Sequence, residues 1–258
     1  MSVYFCGVDI GASATKVVLV DGEGNATARV VRPSGVDYAA TARACLAQAV
    51  ADAGYQDEAA MTVSTGYGRD NVDFAHETRT EIHCHGVGCF HLVGRAVSVV
   101  DIGGQDNKVI RLDDLGRRVE FKMNRKCAAG TGAFIEEIAL RLGLDVGELD
   151  ALAAAAERTV RLGSFCTVFS KTEILSHLRN GEPVEGIVRG AFESVVERIV
   201  EMDPLEGLVA ATGGVVAHNP TVVEILKERL GHEVIVPEAP QFCGALGAAL
   251  TARKLGSN

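Results

Sequence analysis

No run of apolar residues in this 258-residue chain approaches the roughly 18 that would suggest a membrane span. The opening MSVYFCGVDIG lacks the charged segment followed by an apolar one that marks a secretory leader. A cytoplasmic compartment, where thiols stay reduced, is the expectation. Positive charge is also in short supply: 25 Lys and Arg stand against 34 Asp and Glu, for a net charge of −9. That balance argues against nucleic acid or an anionic membrane surface as the main partner, because both call for a basic face. No Pro/Ser-rich linker or low-complexity stretch divides the chain. The seven cysteines, Cys6, Cys45, Cys84, Cys89, Cys127, Cys166 and Cys243, are scattered and odd in number, so a disulfide framework is not expected. Buried thiols and metal ligation remain open. Hydrophobic residues at 47% supply a core without covalent staples.

The chain does contain an internal repeat. Residues 8–24, VDIGASATKVVLVDGEG, and 100–116, VDIGGQDNKVIRLDDLG, agree at eight of seventeen positions with no gap. The matches are Val8/Val100, Asp9/Asp101, Ile10/Ile102, Gly11/Gly103, Lys16/Lys108, Val17/Val109, Asp21/Asp113 and Gly24/Gly116. Each copy reads as a strand, a glycine turn, a β-branched return strand and an Asp/Gly turn. Two homologous α/β lobes follow, about 1–95 and 96–258. Helices are expected at 38–53, 131–142, 187–200 and 221–230, and strands at 61–66 and 207–214. A last small-residue run, GALGAA (244–249), reads as a helix contact.

One Asp-x-Gly turn is an ordinary hairpin; two in related lobes suggest a phosphate clamp. Gly11, Gly103 and Gly104 would let backbone N–H groups approach phosphate oxygens. Ser13, Thr15 and Lys16 add hydroxyl and ammonium donors. Asp9 and Asp101, at equivalent strand ends, would need a hard cation between them and a triphosphate; Mg2+ held largely through water fits. Gln105 is placed to orient an attacking water.

Cys127, in NRKCAAGTG (124–132), and Cys166, in SFCTVF (164–169), each precede a stretch of helical periodicity. A helix N-terminus favours the thiolate, the form that binds iron. Cys6, Cys45 and Cys243 fit the commoner role of a buried thiol, in a strand, a helix and an apolar loop. HCHGVGCFH (83–91) is dense in potential ligands, His83, Cys84, His85, Cys89 and His91, but its spacing matches no standard zinc module. Metal binding there is not expected.

The two hairpins, with TGGV (212–215) as an adenosine motif and GALGAA (244–249) as a connecting helix, resemble the acetate and sugar kinase/Hsp70/actin superfamily across the whole chain. That resemblance implies two duplicated ribonuclease-H-like lobes with ATP or ADP in the cleft between them. STGYGR (64–69), DIGGQD (101–106), KCAAGTG (126–132) and FCTVF (165–169), in order with TGGV and GALGAA, resemble one branch more closely. These are the activator ATPases of 2-hydroxyacyl-CoA dehydratases, to which the ATPase subunits of benzoyl-CoA reductase are related. The resemblance implies nucleotide binding by Gly11, Ala12, Ser13, Ala14, Thr15, Lys16, Gly103, Gly104, Gly130, Thr131, Gly132, Gly213, Gly214, Val215, Gln241 and Gly244, with Asp9, Asp101 and Gln105 catalytic. It also implies one [4Fe-4S] cluster per homodimer, ligated by Cys127 and Cys166 of each chain. A ferredoxin or flavodoxin would be the electron source and an acyl-CoA dehydratase or reductase the recipient. Asn124-Arg125 departs from the Asn-Asp frequent there, which could alter docking or cluster potential, and Ala12-Ser13 departs from Gly-Ser. A small-molecule kinase of the same fold would need a carboxylate base, for which Asp106 is the candidate, and would have no use for Cys127 and Cys166. A non-catalytic nucleotide-binding scaffold is the blander alternative.

Overall fold

A computed structural model describes residues 3–124, 127–163 and 167–257, with side chains in the last segment from 172 onward. Cys166 and the Arg125-Lys126 pair lie outside these residues. β1 (Tyr4–Ile10), β2 (Ala14–Asp21) and β3 (Ala26–Pro33) run as an antiparallel meander. α1 (Tyr38–Ala53) follows; the Asp37 side chain accepts from the Ala40 N–H at its start. β4 (Met61–Gly66) and the short β5 (Glu77–Thr78) extend the sheet in parallel, and α2 (Glu81–Val93) leads out of it.

The second half opens with β6 (Val97–Ile102), β7 (Asn107–Leu112) and β8 (Arg118–Asn124). It continues through α3 (Gly132–Leu142), α4 (Leu149–Ala155), α5 (Thr167–Arg179) and α6 (Val184–Met202). β9 (Val209–Thr212), α7 (Gly214–His218), α8 (Pro220–Leu230), β10 (Val234–Ile235) and α9 (Cys243–Gly256) complete it. The sheets are ordered β3-β2-β1-β4-β5 and β8-β7-β6-β9-β10, so one strand pattern occurs twice.

The repeat extends to the loops. Asp21 Oδ1 accepts from the N–H groups of Glu23 and Asn25, both at 2.9 Å. Asp113 Oδ1 accepts from those of Leu115 and Arg117, also at 2.9 Å. Gly24 and Gly116 close the two turns with φ of 93° and 71°, a region open to glycine. Backbone donors, foremost those of Asn25 and Arg117, hold both carboxyls below the ordinary aspartate range. Each turn therefore stabilises the fold at neutral pH and loses that contribution as pH falls through the lowered value.

Two compact units are distinguished. The first comprises the chain to Val97, Ile110–Glu120 and the segment from Pro237 through α9; the second comprises Ser98–Val109 and Phe121–Val236. In the first unit, side-chain alternation along β1 sends Tyr4, Cys6, Val8 and Ile10 into a core with Ala42, Cys45 and Ala49 of α1. Phe5, on the opposite face, joins Val63, Cys84 and the alanines of α9. The second unit's core gathers Val100 and Ile102 with Phe134, Ile135 and Ile138 of α3 and Ile187, Ala191, Val195 and Ile199 of α6. The helical period of 131–142 puts Phe134, Ile135, Ile138 and Leu142 on one face and that of 187–200 puts Ile187, Ala191, Val195 and Ile199 on one face, and these are the faces turned to the core.

Residues 83–91 are the body of helix α2, capped by Thr80, which leads into β6. One expectation is corrected: Cys243 is the buried first residue of α9 rather than part of a loop. Helices α2 and α9 pack closely. A Cβ on Gly88 would stand 2.0 Å from the Cys243 carbonyl oxygen, and one on Gly247 would stand 1.8 Å from that of Cys84. α2 and α9 thus meet backbone to backbone, and the glycines that weaken the helical signal in sequence are what permit the contact.

Gly88→Ala must push α2 off α9. It is expected to lower unfolding free energy by about 1–3 kcal/mol in urea titrations, as overpacked cores do. A change within about 0.5 kcal/mol, usual for surface positions, would contradict the close approach.

Candidate functional site

The predicted site residues fall into two groups, one in each unit. In the first, Asp9 sits near the end of β1 and is 5% exposed. A buried carboxylate must be compensated, and Lys16, its register partner on β2, places Nζ 3.6 Å from Asp9 Oδ2. The turn between them is closed by the Gly11 N–H donating to the Ala14 carbonyl, leaving Ala12 and Ser13 exposed at the tip. Thr15 is turned inward: its hydroxyl is buried and lies 3.0 Å from that of Ser34, which donates to the Gly11 carbonyl. Its contribution is to brace the turn from behind. Two glycines flank the carboxylate. A Cβ on Gly66 would lie 2.5 Å from Asp9 Oδ1, and one on Gly244 would lie 3.0 Å from Asp9 Oδ2. Gly244 thus belongs beside Asp9, with Gln241 one turn earlier in the chain, in the 240–242 turn that leads into α9.

In the second group the same hairpin carries more. Lys108, matched to Lys16 by the repeat, is 3% exposed and places Nζ 3.3 Å from Asp101 Oδ2 and 2.6 Å from Asp106 Oδ1. The other oxygen of Asp101 accepts from the Thr212 hydroxyl at 3.1 Å. Both oxygens of Asp101 are therefore engaged, a donor set suited to holding a hydrated cation through water rather than by direct ligation. The Gly103 N–H closes this turn on the Asp106 carbonyl, as Gly11 does on Ala14. Gln105 is exposed at its tip.

Two further motifs are packed against this hairpin. The N–H groups of Gly132 and Ala133, the first two residues of α3, donate to the carbonyls of Gly103 and Gly104 at 2.9 and 2.7 Å. A Cβ on Gly132 would meet Gly104 Cα at 3.1 Å and Val215 Cγ2 at 3.3 Å. Asn107 donates from its amide to the Gly130 carbonyl. Gly213, at φ 99°, leaves no room for a side chain against Ile102. Asp101, Gly103, Gly104, Gly130, Thr131, Gly132 and Thr212 through Val215 thus form one cluster.

Cys127 is exposed, whereas Cys6, Cys45, Cys84, Cys89 and Cys243 are all buried. Burial pushes the thiols of Cys6 and Cys84 up to about 12. Among the described cysteines, Cys127 alone therefore offers an accessible thiol to a metal centre. Its position corrects one expectation. It lies five residues before α3, and the helix's leading donors are taken up by Gly103, Gly104 and the Thr131 carbonyl rather than aimed at sulfur. The loop is pinned instead by Asn124, whose amide donates to the Cys127 carbonyl at 3.1 Å.

Sequence reasoning missed Lys108, Asp106 as its partner, Thr212 as the support of Asp101, and Asn107. The Lys16/Lys108 match was the available signal for the first of these. The ligand-rich set of α2 does not assemble a metal site: among the described residues no group of three or more His, Cys, Asp or Glu is placed to hold an ion. No described helix is long and apolar enough to cross a membrane.

The family model described as the BadF/BadG/BcrA/BcrD ATPase family matches residues 6–252. The activator of lactoyl-CoA dehydratase from Anaerotignum propionicum is 42% identical over 254 residues, covering 96% of this chain and 97% of that protein. Component A of the Acidaminococcus fermentans (R)-2-hydroxyglutaryl-CoA dehydratase superposes with a TM-score of 0.94 at 34% identity, covering all of both chains. The activator of the 2-hydroxyisocaproyl-CoA dehydratase from Clostridium difficile, solved with ADPNP, gives 0.91 at 35% identity, covering 98% of this chain and 96% of that one.

Removing Lys108 takes the cation from two carboxylates, Asp101 and Asp106, whereas removing Lys16, the more open lysine, takes it from Asp9 alone. Lys108→Met is expected to destabilise by about 3–5 kcal/mol and Lys16→Met by clearly less, measured by urea unfolding at neutral pH. Equal losses would contradict the asymmetry between the two pairs.

Proposed function

Because the chain belongs to the BadF/BadG/BcrA/BcrD ATPase family, it is an ATPase, and we propose that its hydrolysis drives one-electron transfer to a 2-hydroxyacyl-CoA dehydratase. The observation that carries this reading is the tie between the DIGGQD hairpin and the loop bearing Cys127. Main-chain hydrogen bonds join Gly103 and Gly104 to the start of α3, and Cys127 is the accessible thiol just upstream.

In this reading the tips of the two hairpins bind the phosphates, and Lys16 contributes positive charge to the first. Asp9 and Asp101 are the residues that would hold hydrated Mg2+, which would supply charge neutralisation of the phosphates. Gln105 orients the water that attacks the γ-phosphorus, giving ADP and phosphate. Movement of the Gly103-Gly104 segment as the γ-phosphate leaves is passed to α3 through its first two N–H groups. Cys127, with Cys166 and the same pair from a second copy, would hold one [4Fe-4S] cluster. Such a cluster would supply storage for one low-potential electron, received from a ferredoxin or flavodoxin and given to the dehydratase. An exposed loop is the right place for a group that must face another protein. A kinase reading is disfavoured because its candidate base, Asp106, is occupied by Lys108 at 2.6 Å.

Protein purified without oxygen should be brown and contain about two irons per chain, one four-iron cluster being shared by two copies. Cys127→Ser should be colourless while still binding ADP. Iron near four per chain, or colour retained in Cys127→Ser, would contradict the shared cluster. Asp101→Asn should lower Mg-dependent ATPase by roughly 10–100-fold. Gln105→Ala should lower turnover with nearly unchanged ATP affinity; equal loss of both would make it a binding residue.

A further inference from the structure

We propose that His85 is a positioning residue for Asp9, fixing which way its carboxylate points and so the metal-dependent step of nucleotide binding; this rests on the nucleotide-site reading above. β1 and β4 pair in parallel with Phe5 opposite Met61, Gly7 opposite Val63 and Asp9 opposite Thr65. Alternation puts these residues on one face of the sheet, and Phe5 and Val63 there pack on Cys84 and α9. α2 brings His85 to that face, where it is 7% exposed. A Cβ on Gly244 would lie 2.8 Å from His85 Nε2 and 3.0 Å from Asp9 Oδ2. Both polar atoms thus border the same small space, within reach of each other directly or through one water.

That space exists because position 244 has no side chain. Lys16 approaches the same oxygen of Asp9 from β2. Thr65 is fully buried at the Asp9 register. Burial pushes the nearby Cys84 thiol up to about 12, against a hydrogen bond with the Thr65 hydroxyl that lowers it and with a smaller upward push from the Asp9 charge. Thr65 and the carboxylate that would hold the cation thus share one buried neighbourhood. His85, Thr65 and the gap at Gly244 together form a seat behind Asp9. Groups that orient a metal-holding carboxylate typically change metal affinity by 10–100-fold, while leaving contacts to the nucleotide itself intact.

The test uses the full-length protein with Mn2+ as probe. Mn2+ binding to the ADP complex is measured by electron paramagnetic resonance, and metal-free ADP affinity by a fluorescent analogue. His85→Ala is expected to weaken Mn2+ binding by roughly 10-fold or more with metal-free ADP affinity unchanged. His85→Gln, whose amide nitrogen falls near the place of Nε2, should recover most of the loss. The near-isosteric Thr65→Val should give a smaller loss in a protein that folds normally. Wild-type Mn2+ affinity in both His85→Ala and Thr65→Val would overturn the assignment. So would His85→Gln as weak as His85→Ala, which would mean a packing role. If the wild-type chain bound no Mn2+ with ADP, the reading of Asp9 as part of a metal–nucleotide site would fail, and this assignment with it.

Discussion

The hydrogen bonds from Gly132 and Ala133 to the carbonyls of Gly103 and Gly104 join two parts of the chain that have different chemistry. On one side is a hairpin built around a buried aspartate; on the other is a loop with an exposed cysteine. A helix start normally satisfies its leading N–H groups with a capping side chain or water. Here the hairpin at 103–106 and the start of α3 supply each other's needs. The hairpin's carbonyls gain donors, α3 gains a cap, and the two segments cannot shift independently without breaking two main-chain hydrogen bonds. Asn107 adds a third link through the Gly130 carbonyl.

The duplication explains how such a site is built, and its asymmetry explains what each half does. Both hairpins place an Asp at the end of one strand and a Lys on the next. In the first, Lys16 is partly open and Asp9 is boxed by Gly66 and Gly244. In the second, Lys108 is buried between Asp101 and Asp106, and Thr212 takes the remaining oxygen of Asp101. Moving a buried lysine held by two carboxylates breaks ion pairs in a poorly solvating interior, which is costly. The half that is wired to the Cys127 loop is also the half whose hairpin carries the more buried lysine.

Much of this was legible in the sequence because the repeat is explicit. An eight-residue match over seventeen positions set two hairpins in equivalent places, and the helical faces of 131–142 and 187–200 followed from Phe134, Ile135, Ile138, Ile187, Ala191, Val195 and Ile199. What stayed hidden is nonlocal. α2 did not read as a helix because Gly86 and Gly88 lower propensity, and the reason for Gly88 lies across the unit at Cys243. The inward turn of Thr15 depends on Ser34, nineteen residues on. The donors of α3 were expected to face sulfur because local periodicity shows where a helix starts but not which carbonyls meet it.

The central claim is that nucleotide held at Gly103-Gly104 is felt at the Cys127 loop through α3. Residue-resolved amide hydrogen exchange, compared between the free protein and its complex with ADPNP and Mg2+, tests it directly. The account predicts altered exchange at Gly132 and Ala133 together with residues 103–106, and a matching change in the rate at which Cys127 is alkylated in protein lacking the iron–sulfur cluster. Altered exchange confined to 103–106, with Gly132, Ala133 and Cys127 unaffected, would contradict it.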